Sequence, residues 1–327
     1  ELYGFGKIKD RCMGDISSAV FQMGILLIVT AVGYLAAKLG YLDMRAKDKI
    51  TALLLNITLP CMIIASAGNL DASTLGIQVP LSLALGALAF FLWVLVAFLF
   101  NVVFRVPKEQ RPLYYFMSVC SNTSFIGIPV ADALYGESVA LLCSVFIMAT
   151  STLMYSVGIA LLVGGGSGNK KDVLRAVISP LTIAALLAIA LVFSELHLPL
   201  LLQDSLELIG SITPPVAMML VGVIIANEKI SRVVKEWRLY PYIIIRQLLA
   251  SAATCFLLSF FVKDPVLLGI FTVMFAMPVG SMAPMFCASY GKDSVLPAKG
   301  TILSTIASFA IVPLLVAFMS TTVPLAF

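Results

Sequence analysis

A polar interruption within an apolar segment has the sequence SNTSFIGIP, residues 121–129. Proline inside a helix removes one backbone hydrogen bond and clashes with the preceding turn, so Pro129 predicts a break in the helix. The residues before Pro129 are small or polar and include Gly127, a composition that favours unwound backbone. Since apolar residues flank this stretch on both sides, it predicts a broken helix inside the protein.

The rest of the chain is too apolar to present a water-facing surface. Of its 327 residues, 61% are hydrophobic and 12% are charged, whereas soluble proteins carry about 25% charged residues. In lipid, backbone groups must be paired within the chain, so only helices or a closed barrel span a bilayer. Continuous apolar runs such as 81–100 meet the helical requirement and lack the alternation of barrel strands. The sequence therefore predicts an all-α polytopic membrane protein and argues against soluble enzymes, nucleic-acid binders and secreted disulfide scaffolds.

Apolar runs divide the chain into ten predicted spans. Their approximate bounds are 16–38, 47–67, 78–104, 112–136, 138–163, 173–193, 199–226, 239–262, 265–290 and 295–320. Most of the 21 Lys and Arg residues flank the odd-numbered loops, which the positive-inside rule assigns to the cytoplasm. We therefore expect a multi-pass protein of the plasma membrane, the inner membrane in a bacterium, with both termini outside.

Similar residues recur at one spacing along the chain. Thr58-Leu59-Pro60 resembles Thr213-Pro214-Pro215, Pro129 corresponds to Pro284, and Tyr135-Gly136 corresponds to Tyr290-Gly291. The spacing is 155 residues in each case (215 − 60, 284 − 129 and 290 − 135). Because five spans are an odd number, a second copy of them enters the membrane from the opposite side, which predicts a five-plus-five inverted repeat.

This repeat predicts how the chain is organised. The first five-helix repeat covers residues 16–163 and the second covers 173–327. A short cytoplasmic linker at 164–172 joins them, and an N-terminal lead occupies residues 1–15.

Pro278, Gly280 and Pro284 predict a second break, in the ninth span. The alternative is a pair of simple kinks, since helices in bilayers tolerate proline. If both spans are broken and cross, their second halves begin near the midplane and direct positive dipole ends at the crossing, which favours a carboxylate there. The carbonyl ends of the first halves suit a cation or a proton.

Polar or adaptable side chains in and near the two breaks are candidates for substrate binding. They are Asn122, Thr123, Ser124, Ser281 and Met282 at the breaks, Asn56, Thr58 and Thr213 in spans two and seven, and Arg246 in span eight. The predicted helix-breaking positions are Gly127, Pro129, Pro278, Gly280, Pro284, Pro60, Pro214 and Pro215.

Arg246 and Asp132 lie within predicted spans, where ionisable groups are costly and often functional. Arg246 either snorkels to the headgroups or faces the crossing, where it clamps a carboxylate or compensates Asp132. Asp132 lies one turn after Pro129. It is either hydrated at the outer vestibule or buried, and burial would make it a candidate for proton coupling.

At the two breaks the sequence resembles the auxin efflux carrier family, which includes the plant PIN-type carriers and many bacterial organic-anion permeases. Residues 122–129 and 133–136 are similar to the first crossover of that family, and residues 278–290 resemble the second. The second proline falls one residue later than in plant members. Residues 33–35 and 59–60 fit the bacterial branch, and the resemblance covers almost the whole chain.

The resemblance implies a ten-helix inverted repeat related to the sodium/bile acid and sodium/proton transporter folds. Spans one, two, six and seven would form a scaffold, often dimeric, and the other spans a moving transport domain. Bacterial members are associated with small carboxylates such as malate or malonate.

The leading hypothesis is a secondary transporter of small organic anions, possible auxin-like compounds included, that works by alternating access around the crossing. The alternatives are a sodium- or proton-coupled symporter of another small solute on the same fold, and a channel or sensor. A single histidine and the lack of an HExxH or acid-rich motif argue against a membrane enzyme. We expect no cofactor, metal or nucleic acid, and as partners the anion, the lipid bilayer and a second copy of the chain.

Overall fold

A computed structural model shows a chain built of helices. It describes residues 16–66, 72–136, 139–163, 180–194, 196, 198–227, 236–262 and 264–322. Within these ranges the only extended pairing is one isolated antiparallel bridge between Ser121 and Val279. The predicted lead at 1–15 and linker at 164–172 lie outside the described residues.

The first five helical regions follow the predicted spans closely. Helix α1 is Ile16–Lys38; α2 comprises Met44–Leu53, a π-helical turn at Leu54–Thr58, and Leu59–Ser66; α3 is Ala72–Val103; α4a is Arg111–Val119, followed by a π-helical turn at Thr123–Gly127 and by α4b, Ile128–Tyr135; α5 comprises Ala140–Leu153, a π-helical turn at Met154–Gly158, and Ile159–Val163.

The next five helical regions cover the second half of the chain. Helix α6 is Pro180–Phe193; α7a is Leu200–Gly210 and α7b is Thr213–Asn227; α8 comprises Leu239–Ile243, a π-helical turn at Ile244–Leu249, and Ala250–Ser259; α9a is Pro265–Phe275 and α9b is Ala283–Ser289; α10 is Val295–Thr322.

Six helical segments of the described chain are long and apolar enough to cross a membrane. They are Met44–Ala65, Gly76–Val103, Ala140–Val163, Leu200–Asn227, Leu239–Ser259 and Val295–Met319. Three shorter apolar helices are Gly24–Lys38, Thr182–Leu191 and Pro265–Phe275. The structure thus confirms an all-helical chain with several membrane-type helices, while ten spans in an inverted repeat stay a prediction.

The predicted helix-breaking prolines differ in whether a helix is interrupted beside them. Pro60 lies inside α2, directly after its π-helical turn, and does not end the helix. Pro214 and Pro215 lie in the first turn of α7b, after a short interruption at 211–212. The missing N–H of proline costs little in a first turn, because those N–H groups have no partner within the helix.

Small residues bring helices from the two halves of the chain into backbone contact. A Cβ atom at Gly33 in α1 would lie 2.1 Å from the carbonyl oxygen of Met219 in α7b. A Cβ atom at Gly222 would lie 2.0 Å from the carbonyl oxygen of Thr30 in α1. Such close packing through glycine is typical of membrane helices. Helix α2 packs in turn on α6 and α7a.

The remaining helices enclose the two interrupted ones. Trp93 of α3 is fully buried, and its ring stacks on Phe275 at the end of α9a, with centroids 5.4 Å apart. Tyr114 of α4a and Tyr242 of α8 contact each other edge to face at 5.2 Å. These aromatic contacts fix the ends of α4a and α9a beside α3 and α8.

Candidate functional site

The two interrupted helices meet through a short antiparallel pairing of extended backbone. The N–H of Asn122 donates to the carbonyl oxygen of Pro278 at 2.8 Å, and the N–H of Gly280 donates to that of Cys120 at 2.7 Å. The bridge between Ser121 and Val279 lies between these bonds. Both helices are therefore interrupted, and the interpretation as simple kinks is wrong. The first interruption, at 120–122, comes before the predicted break residues Gly127 and Pro129, which lie in the helical stretch that follows it.

The first interruption is brief and is closed by local bonds. Asn122 precedes the π-helical turn Thr123–Gly127, and its carbonyl oxygen accepts from the N–H groups of Ile126 at 3.2 Å and Gly127 at 3.1 Å. Asn122 and Thr123 are buried, whereas Ser124 is half-buried. The side chain of Asn122 makes no capping bond to the helix that it precedes.

Gly127 leaves space for two methionine side chains, from the end of α9a and from the second interruption. A Cβ atom there would lie 2.7 Å from the sulfur of Met274 and 3.1 Å from Cγ of Met277. Real Cβ atoms are hardly ever found at the shorter of these distances. The predicted break residue Pro129 follows in the first turn of α4b and is buried.

The second interruption, residues 276–282, is longer and depends on side chains from other helices. Gln247 Nε2 donates to the oxygen of Ala276 at 3.1 Å, and Thr301 Oγ1 donates to the oxygen of Gly280 at 3.1 Å. The N–H of Val279 donates to Ser304 Oγ at 3.0 Å. Just before the interruption, Trp93 Nε1 donates to the oxygen of Phe275 at 3.2 Å. Buried backbone groups need such partners, because water is excluded. Helices α3, α8 and α10 therefore hold this unwound segment in place.

Arg246 lies in the centre of this arrangement and is 1% exposed. Its Nε and Nη2 donate to the carbonyl oxygen of Ser118 at 3.3 and 2.9 Å, and its Nη1 donates to that of Met277. Its guanidinium carbon lies 5.3 Å from the centre of the Trp93 ring. The snorkelling interpretation is therefore wrong, since the guanidinium joins the carbonyl ends of α4a and α9a.

Thr58 and Thr213, from α2 and α7b, contact each other directly. Both are buried, and Thr213 Oγ1 donates to Thr58 Oγ1 at 2.8 Å across 155 residues of sequence. Asn56 lies on an exposed side of α2, where its Nδ2 donates to the carbonyl oxygen of Ala52 at 2.7 Å. The structure thus brings the two threonines together and places Asn56 against its own helix.

The other predicted residues differ in their exposure. Ser281 and Pro284 are half-buried, Met282 is exposed, and Pro278 and Gly280 are buried. Asp132 is half-buried on α4b. Within the described residues no group of three His, Cys, Asp or Glu side chains could hold a metal ion.

The second halves of the two interrupted helices have different surroundings. Helix α4b packs against α1 and α7b, and its Val130 belongs to an apolar cluster with Leu26 and Val221. Helix α9b packs mainly on α10 and α4a and leaves Met285 59% exposed. Met285 lies 155 residues after Val130 (285 − 130).

Sequence analysis missed the side chains that complete the second interruption. Trp93, Thr301 and Ser304 are distant in sequence from the break and were not among the candidates. A signal for the serine and threonine exists, because small polar residues in an apolar helix need a partner inside the bilayer. Gln247 lies next to Arg246, and two adjacent polar residues with long side chains in one span carry the same signal.

Comparisons with known proteins identify the family of this chain. Residues 18–316 match a family described as membrane transport proteins. An uncharacterized transporter of Methanocaldococcus jannaschii is 26% identical over 300 residues, which cover 89% of this chain and 95% of the relative. The matched region includes both interruptions and Arg246. The chain therefore belongs to the membrane transport protein family, the family of the auxin efflux carriers that its two breaks resemble.

Proposed function

We propose that this membrane transporter carries small organic anions and binds them beside the crossing of its two interrupted helices. The backbone pairing between residues 120–122 and 278–280 is the observation that carries the proposal. Transporters with interrupted helices bind their solutes where the helix ends meet near the midplane.

The charge distribution at the crossing favours an anion. The π-helical turn and α4b form one continuous helix from Thr123 to Tyr135, and its N-terminal N–H groups carry partial positive charge. Neither Asn122 nor Met282 makes a side-chain capping bond to the helix that comes after it. Arg246 adds a permanent positive charge in a region of low dielectric constant, where charges act strongly.

Alternating access is supported by the different surroundings of α4b and α9b. In the predicted topology α4b lies in the outer half of the membrane and α9b in the inner half. Helix α4b is covered by α1 and α7b, whereas Met285 of α9b is exposed. Within the proposed topology, we assign this conformation to a site open toward the cytoplasm. The outward-open conformation would cover α9b instead.

Two local features support the inverted repeat. The hydrogen-bonded threonines Thr58 and Thr213 lie 155 residues apart, the offset found in the sequence. Gly136 and Gly291, also 155 residues apart (291 − 136), come directly after α4b and soon after α9b and have positive φ angles of 92° and 67°. We include in the proposal ten spans, a scaffold of α1, α2, α6 and α7, and a second copy of the chain bound through that scaffold.

The test is saturable uptake by purified protein in liposomes, with malate, malonate and indole-3-acetate as solutes. We expect saturation for at least one carboxylate and counterflow exchange, which a channel does not show. Asn122→Ala should lower kcat/KM roughly tenfold, as expected for the loss of one hydrogen bond to a charged ligand.

Asn227→Ala is the matched control. Asn227 is exposed at the end of α7b, and its Nδ2 bonds within its own helix, to Val223. This variant should transport like the parent protein. Full transport by Asn122→Ala would contradict the proposed site, and an absolute requirement for a co-transported ion would favour the coupled symporter instead.

A further inference from the structure

We propose that Arg246 is a resident counter-cation that takes the place of a coupling sodium ion, so that transport requires no bound metal cation. The inference rests on the proposed function, because it assumes that solute passes through the crossing. It concerns the carbonyl side of the crossing, opposite the helix N-termini that favour an anion.

Two helix C-termini converge on the guanidinium. Ser118 lies in the last turn of α4a, and Met277 lies two residues beyond the end of α9a. Carbonyl groups at helix C-termini carry partial negative charge, and in transporters with interrupted helices such carbonyls coordinate sodium ions. Here the carbonyl oxygens of both residues accept hydrogen bonds from Arg246.

Neighbouring side chains use the adjacent carbonyls. The oxygen of Phe275 accepts from Trp93, and that of Ala276 accepts from Gln247. Three consecutive carbonyls, at residues 275–277, therefore accept bonds from side chains of α3 and α8. A sodium ion needs several such oxygens at once, and here each of the three already accepts a hydrogen bond from a side chain.

An arginine side chain is better suited than an exchangeable ion to neutralise the two helix C-termini permanently. The guanidinium stays charged at all physiological pH values and presents its donors in a fixed fork. The Trp93 ring, 5.3 Å from the guanidinium carbon, adds a cation–π contact. Because the cation is part of the chain, it cannot leave with the solute, and its charge holds the two carbonyl ends together throughout the cycle.

The experiment compares parent protein, Arg246→Ala and Arg246→Lys in sodium chloride and in N-methylglucamine chloride. The parent should show the same Tm and carboxylate uptake in both salts, within about twofold for uptake, because an ion without a site shifts no equilibrium. Arg246→Ala should lower Tm by about 5 °C or more, since two helix C-termini lose their cation. Low millimolar guanidinium, far below denaturing concentrations, should restore part of that loss.

Gln247→Ala is the matched control, because Gln247 is the buried neighbour that donates to Ala276 and Ser304 without carrying charge. It should lower Tm with no recovery in guanidinium. Arg246→Lys keeps the charge and should fold and remain independent of sodium, which keeps the test decisive where Arg246→Ala gives no folded protein.

Three results would overturn the inference. They are a sodium requirement in the parent protein, equal recovery of Gln247→Ala and Arg246→Ala in guanidinium, and a sodium requirement in Arg246→Lys. The Tm measurements need no solute. If none of the carboxylates is transported, the proposed function fails while these measurements still decide the role of Arg246.

Discussion

In both interrupted helices, backbone groups that leave the helix need hydrogen-bond partners, and the two helices obtain them in different ways. After α4a only residues 120–122 leave the helix before a π-helical turn begins, and the carbonyl oxygen of Asn122 accepts the next bonds. After α9a seven residues, 276–282, lie outside the helix, and side chains from α8 and α10 bond to their backbone. Trp93 of α3 bonds to the oxygen of Phe275, the last residue of α9a. The two breaks bond to each other, but the first is shorter and closed by a local turn, whereas the second also takes side-chain bonds from α8 and α10.

The difference extends to the short helices that begin after each break. Helix α4b has eight residues and is covered by other helices, whereas α9b has seven and is partly exposed. The proposed alternating-access cycle would need such an asymmetry. The comparison teaches that two segments with similar break sequences can have unequal surroundings in one conformation.

The largest effect on stability should come from removing a support of the second break. Trp93→Ala deletes the ring that stacks on Phe275 and the donor to its carbonyl oxygen, and it should cost about 3–5 kcal/mol of unfolding free energy. Phe91→Ala is the control, since Phe91 is on the same helix and 56% exposed. Denaturant titration in mixed micelles measures both, and equal losses would contradict the comparison.

A smaller effect should come from crowding the first break. Gly127→Ala puts a Cβ atom 2.7 Å from the sulfur of Met274, and overpacking of this kind costs about 1–3 kcal/mol. At Gly76 of α3 a Cβ atom would meet nothing within 4 Å, so Gly76→Ala should be neutral or stabilising. The same titration decides, and a stable Gly127→Ala variant would mean that the two interrupted helices separate easily.

The smallest effect on stability, with a clear effect on labelling, is expected for cysteines on the two second halves. In the proposed inward-open conformation, Met285→Cys on α9b should react readily with a membrane-impermeant maleimide added from the cytoplasmic side, because Met285 is 59% exposed. Val130→Cys on α4b should react slowly, because Val130 is 1% exposed. A carboxylate that shifts the protein outward should reduce the first rate, and equal rates at the two positions would contradict the assigned conformation.

Much of the crossing could be predicted from the sequence because proline and glycine act locally. Pro278 and Gly280 lie in the second break, and Pro129 follows the first break within the next helix. The recurring offset of 155 residues relates Thr58 to Thr213, which the structure joins by a hydrogen bond. The helix bounds can be read from apolar runs, whose ends are marked by charged residues.

The features that could not be predicted depend on how the helices are rotated and packed. Arg246 was compatible with either a headgroup position or the crossing, and only the rotation of α8 decides between them. Asn56 and Thr58 were both predicted to bind substrate, but a separation of two residues on a helix points side chains to different faces. Trp93 and Ser304 reach the second break from α3 and α10, and nothing in the local sequence pairs them with it.

The contact between α1 and α7b has a consequence for movement. At Gly33 and Gly222 the backbones of the two helices are so close that no side chain larger than the hydrogen atom of glycine fits between them. If one helix slid past the other by one turn, larger side chains would clash with main-chain atoms. We therefore expect these two helices, one from each half of the chain, to move together as one rigid unit. Helix α4b meets α7b through apolar side chains such as Val130 and Val221, a surface that can part and close again. For the proposed alternating-access cycle we therefore expect hinges outside the contact between α1 and α7b, and sliding at α4b.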